Sequence, residues 1–399
     1  MILDGLTFQL GYNASLVTLG AILLGIAAAA TGTFLFLRKR ALVSDAISHA
    51  TLPGVGLAFI VMVALGLDGR SLPGLLLGSA LSAVLGLACV AYLTRATRLG
   101  EDAAIGAVLS VFFGVGVVLL TVIQTMQTGR QAGLEGFLLG STAGMLFADA
   151  VMIAVGGAVV LGLVLVLQRA MTLVAFDPGY AESIGLPVAR IDWAIMGLVL
   201  AVTVVGLKVV GLILIVALLI IPAVAARFWT DRAVHVVLIA GAIGGASGWI
   251  GAALSASAPD LPTGPIIVLV AFGAFVLSLL VAPGRGVLAA VLRHVSFQRR
   301  VHVRQGLLAL ATGQPIYEPL TLRLLGRAGY ARADGVATEA GQGAAAKALR
   351  DEARWDVVRR HEAFAGTAAL YDGLREIESV LTADQIAEVD RLIGAPEAV

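Results

Sequence analysis

Charged side chains are scarce in this sequence of 399 residues. They make up 13% of the chain, whereas hydrophobic residues make up 59%. Soluble domains carry about 25% charged residues, and a fold of this length in water cannot bury so much apolar surface. The composition therefore excludes an ordinary water-soluble protein and predicts an integral membrane protein whose solvent includes lipid.

Cysteine and the common catalytic signatures are also lacking. The one cysteine, Cys89, lies inside an apolar run, which excludes a disulfide framework and a cysteine-based metal site. The sequence contains no Gly-x-x-x-x-Gly-Lys-Ser/Thr loop, no His-Glu-x-x-His and no Gly-x-Ser-x-Gly. We therefore expect no enzymatic activity and no bound cofactor in this chain.

Apolar runs long enough to cross a bilayer, about 20 residues each, recur over the first 290 residues. We predict an all-α polytopic bundle of about nine transmembrane helices. A short apolar piece at 134–147 is expected to be re-entrant or interfacial. The sixth and seventh runs are separated by little more than Lys208 and fit either two short spans or one broken helix. The runs are 15–37, 45–66, 73–93, 103–125, 149–168, 191–207, 209–227, 235–257 and 265–282.

Basic residues concentrate in alternate loops when nine spans are counted. The positive-inside rule then places these loops in the cytoplasm. We expect a bacterial inner-membrane protein with its N-terminus outside and its C-terminus inside. The basic loops carry Arg38, Lys39, Arg40, Arg95, Arg98, Arg169, Arg190, Arg227, Arg232, Arg285 and Arg293.

The end of the chain has a different composition. Residues 291–399 hold about half of all charged residues, with the two signs balanced. They also show helical periodicity and turn signals. We predict a transmembrane domain over 1–290 and a small cytoplasmic domain over 291–399.

One pair of ionisable residues stands out at the start of the second span. Asp45 and His49 are four residues apart, so they share a face of a helix. A carboxylate oxygen and an imidazole nitrogen form half of a site for Mn²⁺, Zn²⁺ or Fe²⁺, and two copies across a symmetric interface would supply four ligands. The alternative is that Asp45 caps the helix and His49 is an interfacial residue.

Three further acidic residues are candidates with simpler explanations. Glu101 and Asp102 begin the fourth span, where acidic side chains favour a helix N-terminus. Asp260 lies in an outer turn rich in proline, where it has either a turn role or attracts cations at an entrance.

The loop after the fifth span predicts a short helix. Asp177 followed by Pro178 has the form of an N-cap with proline at the first helical position. Ala181 and Glu182 fall within this helix, and Gly185 ends it. The segment is either an ordinary connector or a docking helix for a cytoplasmic motor.

These motifs together resemble the membrane permeases of zinc, manganese and iron ABC importers. The similarity covers roughly residues 10–287. It rests on five segments in the right order: Arg40–Ala50 with Leu52-Pro53-Gly54, Glu101–Gly106, Phe176-Asp177-Pro178 with Ala181 and Gly185, Val210–Leu214 running to Pro222-Ala223, and Asp260–Pro265.

The resemblance implies roles for these residues. Asp45 and His49 would bind the metal in the translocation pathway, with Mn²⁺ preferred over Zn²⁺ or Fe²⁺. The 177–187 helix would be the coupling helix that contacts an ATP-binding subunit. The implied partners are a second permease (an identical copy or a sister chain), that ATP-binding subunit, an extracytoplasmic metal-binding protein and membrane lipid.

The tail is similar to the winged-helix part of manganese- or iron-dependent repressors. Its order is a helix ending at Gly329, a hairpin turn at Asp334-Gly335 and a helix over 341–364. We therefore expect a small α+β winged-helix-like domain. The recognition helix has only Arg323 and Arg327 as basic residues, which disfavours nucleic-acid binding. We expect a regulatory or docking module.

Two alternative functions remain open at this point. A permease for a metal chelate would not need the Asp45 and His49 ligands. A membrane-tethered metal sensor would act through residues 291–399.

Overall fold

The computed structural model describes residues 12–69, 71–126, 147–257 and 261–394. The chain divides into two compact units, Met1–Leu288 and Ala289–Val399. Within the described residues both units are built from helices, and their one pairing of extended segments is a single antiparallel bridge in the second unit.

The first unit is a bundle of long apolar helices and one short loop helix. Eight segments are long and apolar enough to cross a membrane, and Leu214–Arg227 is a shorter apolar helix. The prediction of an all-helical polytopic membrane protein is confirmed. The helices are α1 (Tyr12–Leu37), α2 (Leu42–Ala64), α3 (Leu72–Ala96), α4 (Glu101–Thr125), α5 (Phe147–Phe176), α6 (Pro178–Ser183), α7 (Val188–Arg227), α8 (Ala233–Ala256) and α9 (Thr263–Val281).

Helix α1 lies at the centre of the bundle and contacts α5, α7 and α8. Its approach to α8 is close because glycines face each other. A Cβ added to Gly25 would lie 2.3 Å from the carbonyl oxygen of Gly244, and one on Gly244 would lie 2.3 Å from that of Gly25. Small residues are what allow two membrane helices to pack backbone against backbone.

Helix α7 is interrupted at Gly211, whose φ of 78° lies in the left-handed region that glycine adopts readily. The helix after the break turns back. Gly206, before the break, faces both Leu24 and Ile215, whereas Leu219 approaches Gly32 further along α1. Leu214–Arg227 therefore runs parallel to α1, towards the end of the bundle at which α7 begins.

This geometry corrects the expected count of about nine full spans. Among the described residues, the run at 209–227 yields a 14-residue helix (Leu214–Arg227) rather than a helix of spanning length. The short apolar piece at 134–146 lies outside the described residues.

The second unit contains α10 (Val287–Ala311, whose first two residues belong to the first unit), α11 (Pro319–Arg327), α12 (Glu339–Arg360), α13 (Ala365–Ala368) and α14 (Ala383–Gly394). Its core surrounds Trp355, which is fully buried and donates its indole N–H to the Arg375 carbonyl at 3.0 Å. The other buried members are Val358, Phe364, Ile377, Leu381 and Val389.

The prediction of an α+β winged-helix domain is not supported. The turn at Asp334-Gly335 forms, and helices α11 and α12 flank it. However, the residues on either side make only one bridge, Ala331 to Ala337, and no sheet forms within 261–394. Thr338 already caps α12 by accepting a hydrogen bond from the Gly341 N–H, so the segment after the turn is too short to become a strand.

Candidate functional site

Asp45 and His49 lie together in the first two turns of α2. The His49 Nε2 atom is 3.3 Å from an Asp45 carboxylate oxygen. The side chains are 24% and 39% exposed for His49 and Asp45, respectively, so both are only partly covered by the helix packing. The predicted shared face is therefore present, and it presents one oxygen and one nitrogen ligand per chain.

Phe113 of α4 holds the His49 ring in place. The two rings meet edge to face, with centroids 5.0 Å apart. The Nδ1 atom of His49 is buried and makes no hydrogen bond within the described part of the chain. The aromatic contact thus restrains the imidazole with its Nε2 atom towards Asp45.

A group of ion pairs joins four helices at the end of the bundle where α1 finishes. Arg38 contacts Asp192 at 2.6 Å and donates to the Val174 carbonyl at 2.8 Å. Arg40 contacts Glu101 at 3.0 Å and Asp192 at 3.6 Å. Because these residues belong to α5, α4, α7 and the end of α1, the pairs fix the relative positions of those helix ends.

A cavity of about 260 Å³ adjoins this ion-pair group. Arg40, Glu101 and Asp192 line one side, Glu182 of the loop helix lines another, and Val43 and Met196 contribute apolar wall. The ion-pair group and the loop helix therefore border the same space.

The predicted loop helix is present as α6. The Asp177 side chain accepts a hydrogen bond from the Tyr180 N–H at 2.9 Å, with Pro178 at the first helical position. Ala181 is fully buried and anchors the helix. Gly185 has a φ of 83° and ends the segment.

Most of the surface of α6 faces solvent. Tyr180 and Ile184 are large apolar side chains that are 55% and 53% exposed. Pro178, Glu182 and Gly185 are exposed as well. A short helix with a buried anchor and an exposed apolar surface can act as a docking element.

The remaining predicted residues divide into three cases. Glu101 begins α4, as expected, but it also pairs with Arg40 and so joins the ion-pair group. Asp102 is exposed beside it and is not part of that group. Asp260 lies outside the described residues.

Two carboxylates with little exposure were not foreseen from the sequence. Asp192, in the second turn of α7, is 19% exposed and connects Arg38 with Arg40, and Asp149 in the first turn of α5 is only 4% exposed. The available signal was an acidic residue at the edge of an apolar run, which by default marks a functional position in a membrane protein.

Most of the ion pairs in the second unit involve residues of α12. Burial raises the pKa of the Asp351 carboxyl, against the opposing effect of Lys347, Arg304 and Arg354. A hydrogen bond from Arg354 lowers the pKa of Asp390, which meets that guanidinium through two contacts of 2.7 Å. Arg354 thus connects α12 with α14.

A polytopic bundle of apolar helices with an exposed loop helix fits the membrane permease of a transporter. The ABC 3 transport family model matches residues 12–282. The chain belongs to the ABC 3 transport family and is a multi-pass permease subunit of an ABC transporter, in which ATP hydrolysis resides in a separate subunit.

Characterised relatives are similar over most of the chain. The manganese transport system membrane protein MntC of Bacillus subtilis is 42% identical over 77% of this chain and 70% of its own length. The zinc transport system membrane protein TroC of Treponema pallidum is 38% identical over 74% of this chain and 96% of its own.

A solved structure shares the fold. PsaBC from Streptococcus pneumoniae in complex with Fab aligns with a TM-score of 0.61 and 30% identity. The alignment covers 71% of this chain and 96% of that one.

Proposed function

We propose that this chain is the permease of an importer that moves Mn²⁺ into the cytoplasm, with Zn²⁺ or Fe²⁺ as alternative cargo. The observation that carries the proposal is the Asp45–His49 pair, because it offers an oxygen and a nitrogen ligand at an exposed edge of α2. Ligands of this type suit Mn²⁺, Fe²⁺ and Zn²⁺. The names of the relatives, a manganese and a zinc transport protein, support this cargo class.

The pore requires a second permease. One chain supplies two ligand atoms through Asp45 and His49, and these metals take four or more ligands. Two copies, or this chain with a sister permease, supply four. An extracytoplasmic metal-binding protein delivers the ion, and a partner ATP-binding subunit drives its release on the inner side.

The end of the bundle that carries Arg38 and Arg40 faces the cytoplasm. The return of Leu214–Arg227 supports this orientation, because it brings Arg227 to the same end. Asp231 links this residue to Arg285, with contacts of 2.8 Å to Arg227 and 2.6 Å to Arg285. Basic residues gathered at one end mark the cytoplasmic side. The N-terminus then lies outside, and residues 291–399 form a cytoplasmic regulatory or docking domain.

The loop helix α6 couples the permease to the ATP-binding subunit. The exposed Tyr180 and Ile184 provide the apolar contact, and the exposed Glu182 lines the cavity beside Asp192. Movement of α6 is thereby transmitted to the ends of α1, α4 and α7.

The test is ATP-dependent uptake of radioactive Mn²⁺ by proteoliposomes that contain the whole transporter. Asp45→Asn and His49→Gln each preserve side-chain size while weakening a ligand. We expect each variant to lower uptake by an order of magnitude or more, in line with loss of a metal ligand's supporting interactions.

Matched controls make the same chemical changes elsewhere in the bundle. Asp102→Asn and His235→Gln alter an exposed carboxylate and an exposed imidazole. They should leave uptake unchanged. Normal uptake by both ligand variants would refute the role of the pair and favour cargo that needs no direct protein ligands, such as a metal chelate.

A further inference from the structure

The first half of α10 has an apolar face that nothing in the described chain covers. Val287, Leu288, Val291, Leu292 and Val295 are 46%, 55%, 51%, 61% and 39% exposed. At 100° per residue these five positions fall within an arc of about 140° on one side of the helix. The face therefore extends over about two and a half turns.

The second half of the same helix behaves differently. From Val301 to Ala311 every residue except Gln305 is at least partly buried in the second unit. Gly306 packs against Thr321 and Leu325, and Arg304 contacts Glu352 at 2.9 Å. The bare face is thus a property of residues 287–297 and not of α10 as a whole.

The stretch of sequence that contains this face carries charge of one sign. No aspartate or glutamate occurs between residues 261 and 317. Arg293, Arg299 and Arg300 are exposed on α10, and Arg293 and Arg300 fall opposite the apolar arc. An apolar face backed by arginines is typical of helices that lie in the plane of a membrane interface.

The connection to the last span keeps this segment near the bilayer. Helix α9 ends at Val281 and α10 begins at Val287, so the link spans at most about 20 Å even when fully extended. A hydrogen bond of 2.8 Å from the Gly286 N–H to the Ala282 carbonyl shortens it further.

We propose that residues 287–297 form an interfacial helix that binds the surface of an anionic lipid bilayer through the Val287, Leu288, Val291, Leu292 and Val295 face. Arginines at the polar side and flanks attract the acidic headgroups. A second copy of this helix is a poorer partner, because Arg299 falls on the same side as the apolar arc. Pairing two such faces would bring the Arg299 side chains of both copies together, with no acidic residue on the helix to compensate them. The proposal does not depend on which ion the permease carries.

The experiment uses the full-length chain in nanodiscs, with Cys89→Ser removing the native thiol. A fluorescent probe is attached through Val295→Cys on the apolar face or through Ser296→Cys, which lies about 100° further around the helix and outside the apolar arc. Quenching by lipids spin-labelled near the headgroup is compared with quenching by a water-soluble agent. Both positions are exposed, so neither substitution disturbs a packed core.

We expect the Val295→Cys probe to be quenched several-fold more by lipid than by the aqueous agent, and the Ser296→Cys probe to show the reverse. This difference should be larger in nanodiscs of equimolar phosphatidylglycerol and phosphatidylcholine than in phosphatidylcholine alone. Arg299→Gln and Arg300→Gln should each reduce the preference for the anionic lipid about fivefold. Arg360→Gln, an exposed arginine outside α10, is the matched control and should not reduce it.

Equal aqueous quenching of both probes would overturn the proposal. A second result would also overturn the proposal. The Val295→Cys probe would be protected from the aqueous agent whatever the lipid, and this protection would disappear when each nanodisc holds one chain. That result would assign the face to a second copy. Neither result bears on metal uptake, so failure here is distinguishable from failure of the proposed transport function.

Discussion

Arg38 and Asp192 form a contact of 2.6 Å across 154 positions of sequence, and their side chains are only 14% and 19% exposed. The pair ties the end of α1 to the start of α7. Charges placed in so little water are stable only with a partner, and removal of one partner leaves the other uncompensated. This contact is therefore expected to contribute to the stability of the bundle as well as to its architecture.

Asp192→Asn should destabilise the permease by about 3 kcal/mol, because Arg38 would lose its carboxylate in a mostly buried setting. Thermal unfolding of the purified chain in detergent measures the effect. Asp231→Asn is the matched control, since Asp231 is 69% exposed and pairs with Arg227 and Arg285. This control substitution should lower the free energy of unfolding by less than about 1 kcal/mol. Equal losses of stability in the two variants would show that burial does not determine how much these ion pairs contribute.

Gly244→Ala should destabilise the contact between α1 and α8 by about 1–3 kcal/mol, the usual cost of overpacking. The reason is the 2.3 Å separation that the new Cβ would have from the Gly25 carbonyl oxygen, which forces the helices apart. Gly273→Ala makes the same change where no atom lies within 4 Å. Thermal stability in detergent should fall only for Gly244→Ala, and an equal fall in both would contradict the close-packing interpretation.

Tyr180→Ala on α6 should weaken binding of the ATP-binding subunit about tenfold or more, as expected for loss of an exposed aromatic anchor at a docking surface. Binding is measured with the two purified components, and Mn²⁺ uptake should fall in parallel. The matched control is Tyr317→Ala, because Tyr317 lies outside α6 and is even more exposed, at 86%. Unchanged affinity in Tyr180→Ala would remove α6 from the proposed coupling interface.

Asp351 should make the second unit less stable as pH rises. Burial raises its pKa above the usual aspartate value of 3.8, so the folded state holds this proton more tightly than the unfolded state. The stabilising contribution is complete below pH 3.8 and is lost as pH rises through the raised pKa. Asp390 has the opposite effect, because its pKa is lowered by Arg354.

Hydrogen exchange of α12 at a series of pH values measures this dependence. In Asp351→Asn, the protection of the α12 amides from hydrogen exchange should decline less as the pH rises above 3.8, the usual pKa of aspartate. Asp384→Asn changes an exposed carboxylate of α14 and should leave the wild-type profile in place. A pH profile in Asp351→Asn that is the same as that of the wild-type chain would contradict the prediction.

Local signals in the sequence were sufficient to predict the apolar helices and the loop helix α6. Each span is a continuous apolar run, and Asp177-Pro178 carries its own capping chemistry in adjacent residues. The pairing of Asp45 with His49 was predictable for the same reason, since one helical turn separates them.

Tertiary relationships were not predictable in this way. Asp192 gave no local indication that it would meet Arg38 and Arg40, because its partners lie about 150 residues earlier in the sequence. The sequence left one broken helix over 191–227 as an alternative, but it did not locate the left-handed break at Gly211 or indicate the turn back towards Arg227. The winged-helix prediction failed because a hairpin turn at Asp334-Gly335 does not require strands long enough to form a sheet.

We propose that Asp45 and His49 bind the transported metal. Pulsed electron paramagnetic resonance of Mn²⁺ trapped in the assembled transporter tests it directly, because the method detects nitrogen bound to the ion. We predict an imidazole nitrogen coupling in the wild-type complex that is lost in His49→Gln and retained in His235→Gln. An unchanged nitrogen coupling in His49→Gln, or a trapped ion without any bound nitrogen in the wild-type complex, would contradict the account.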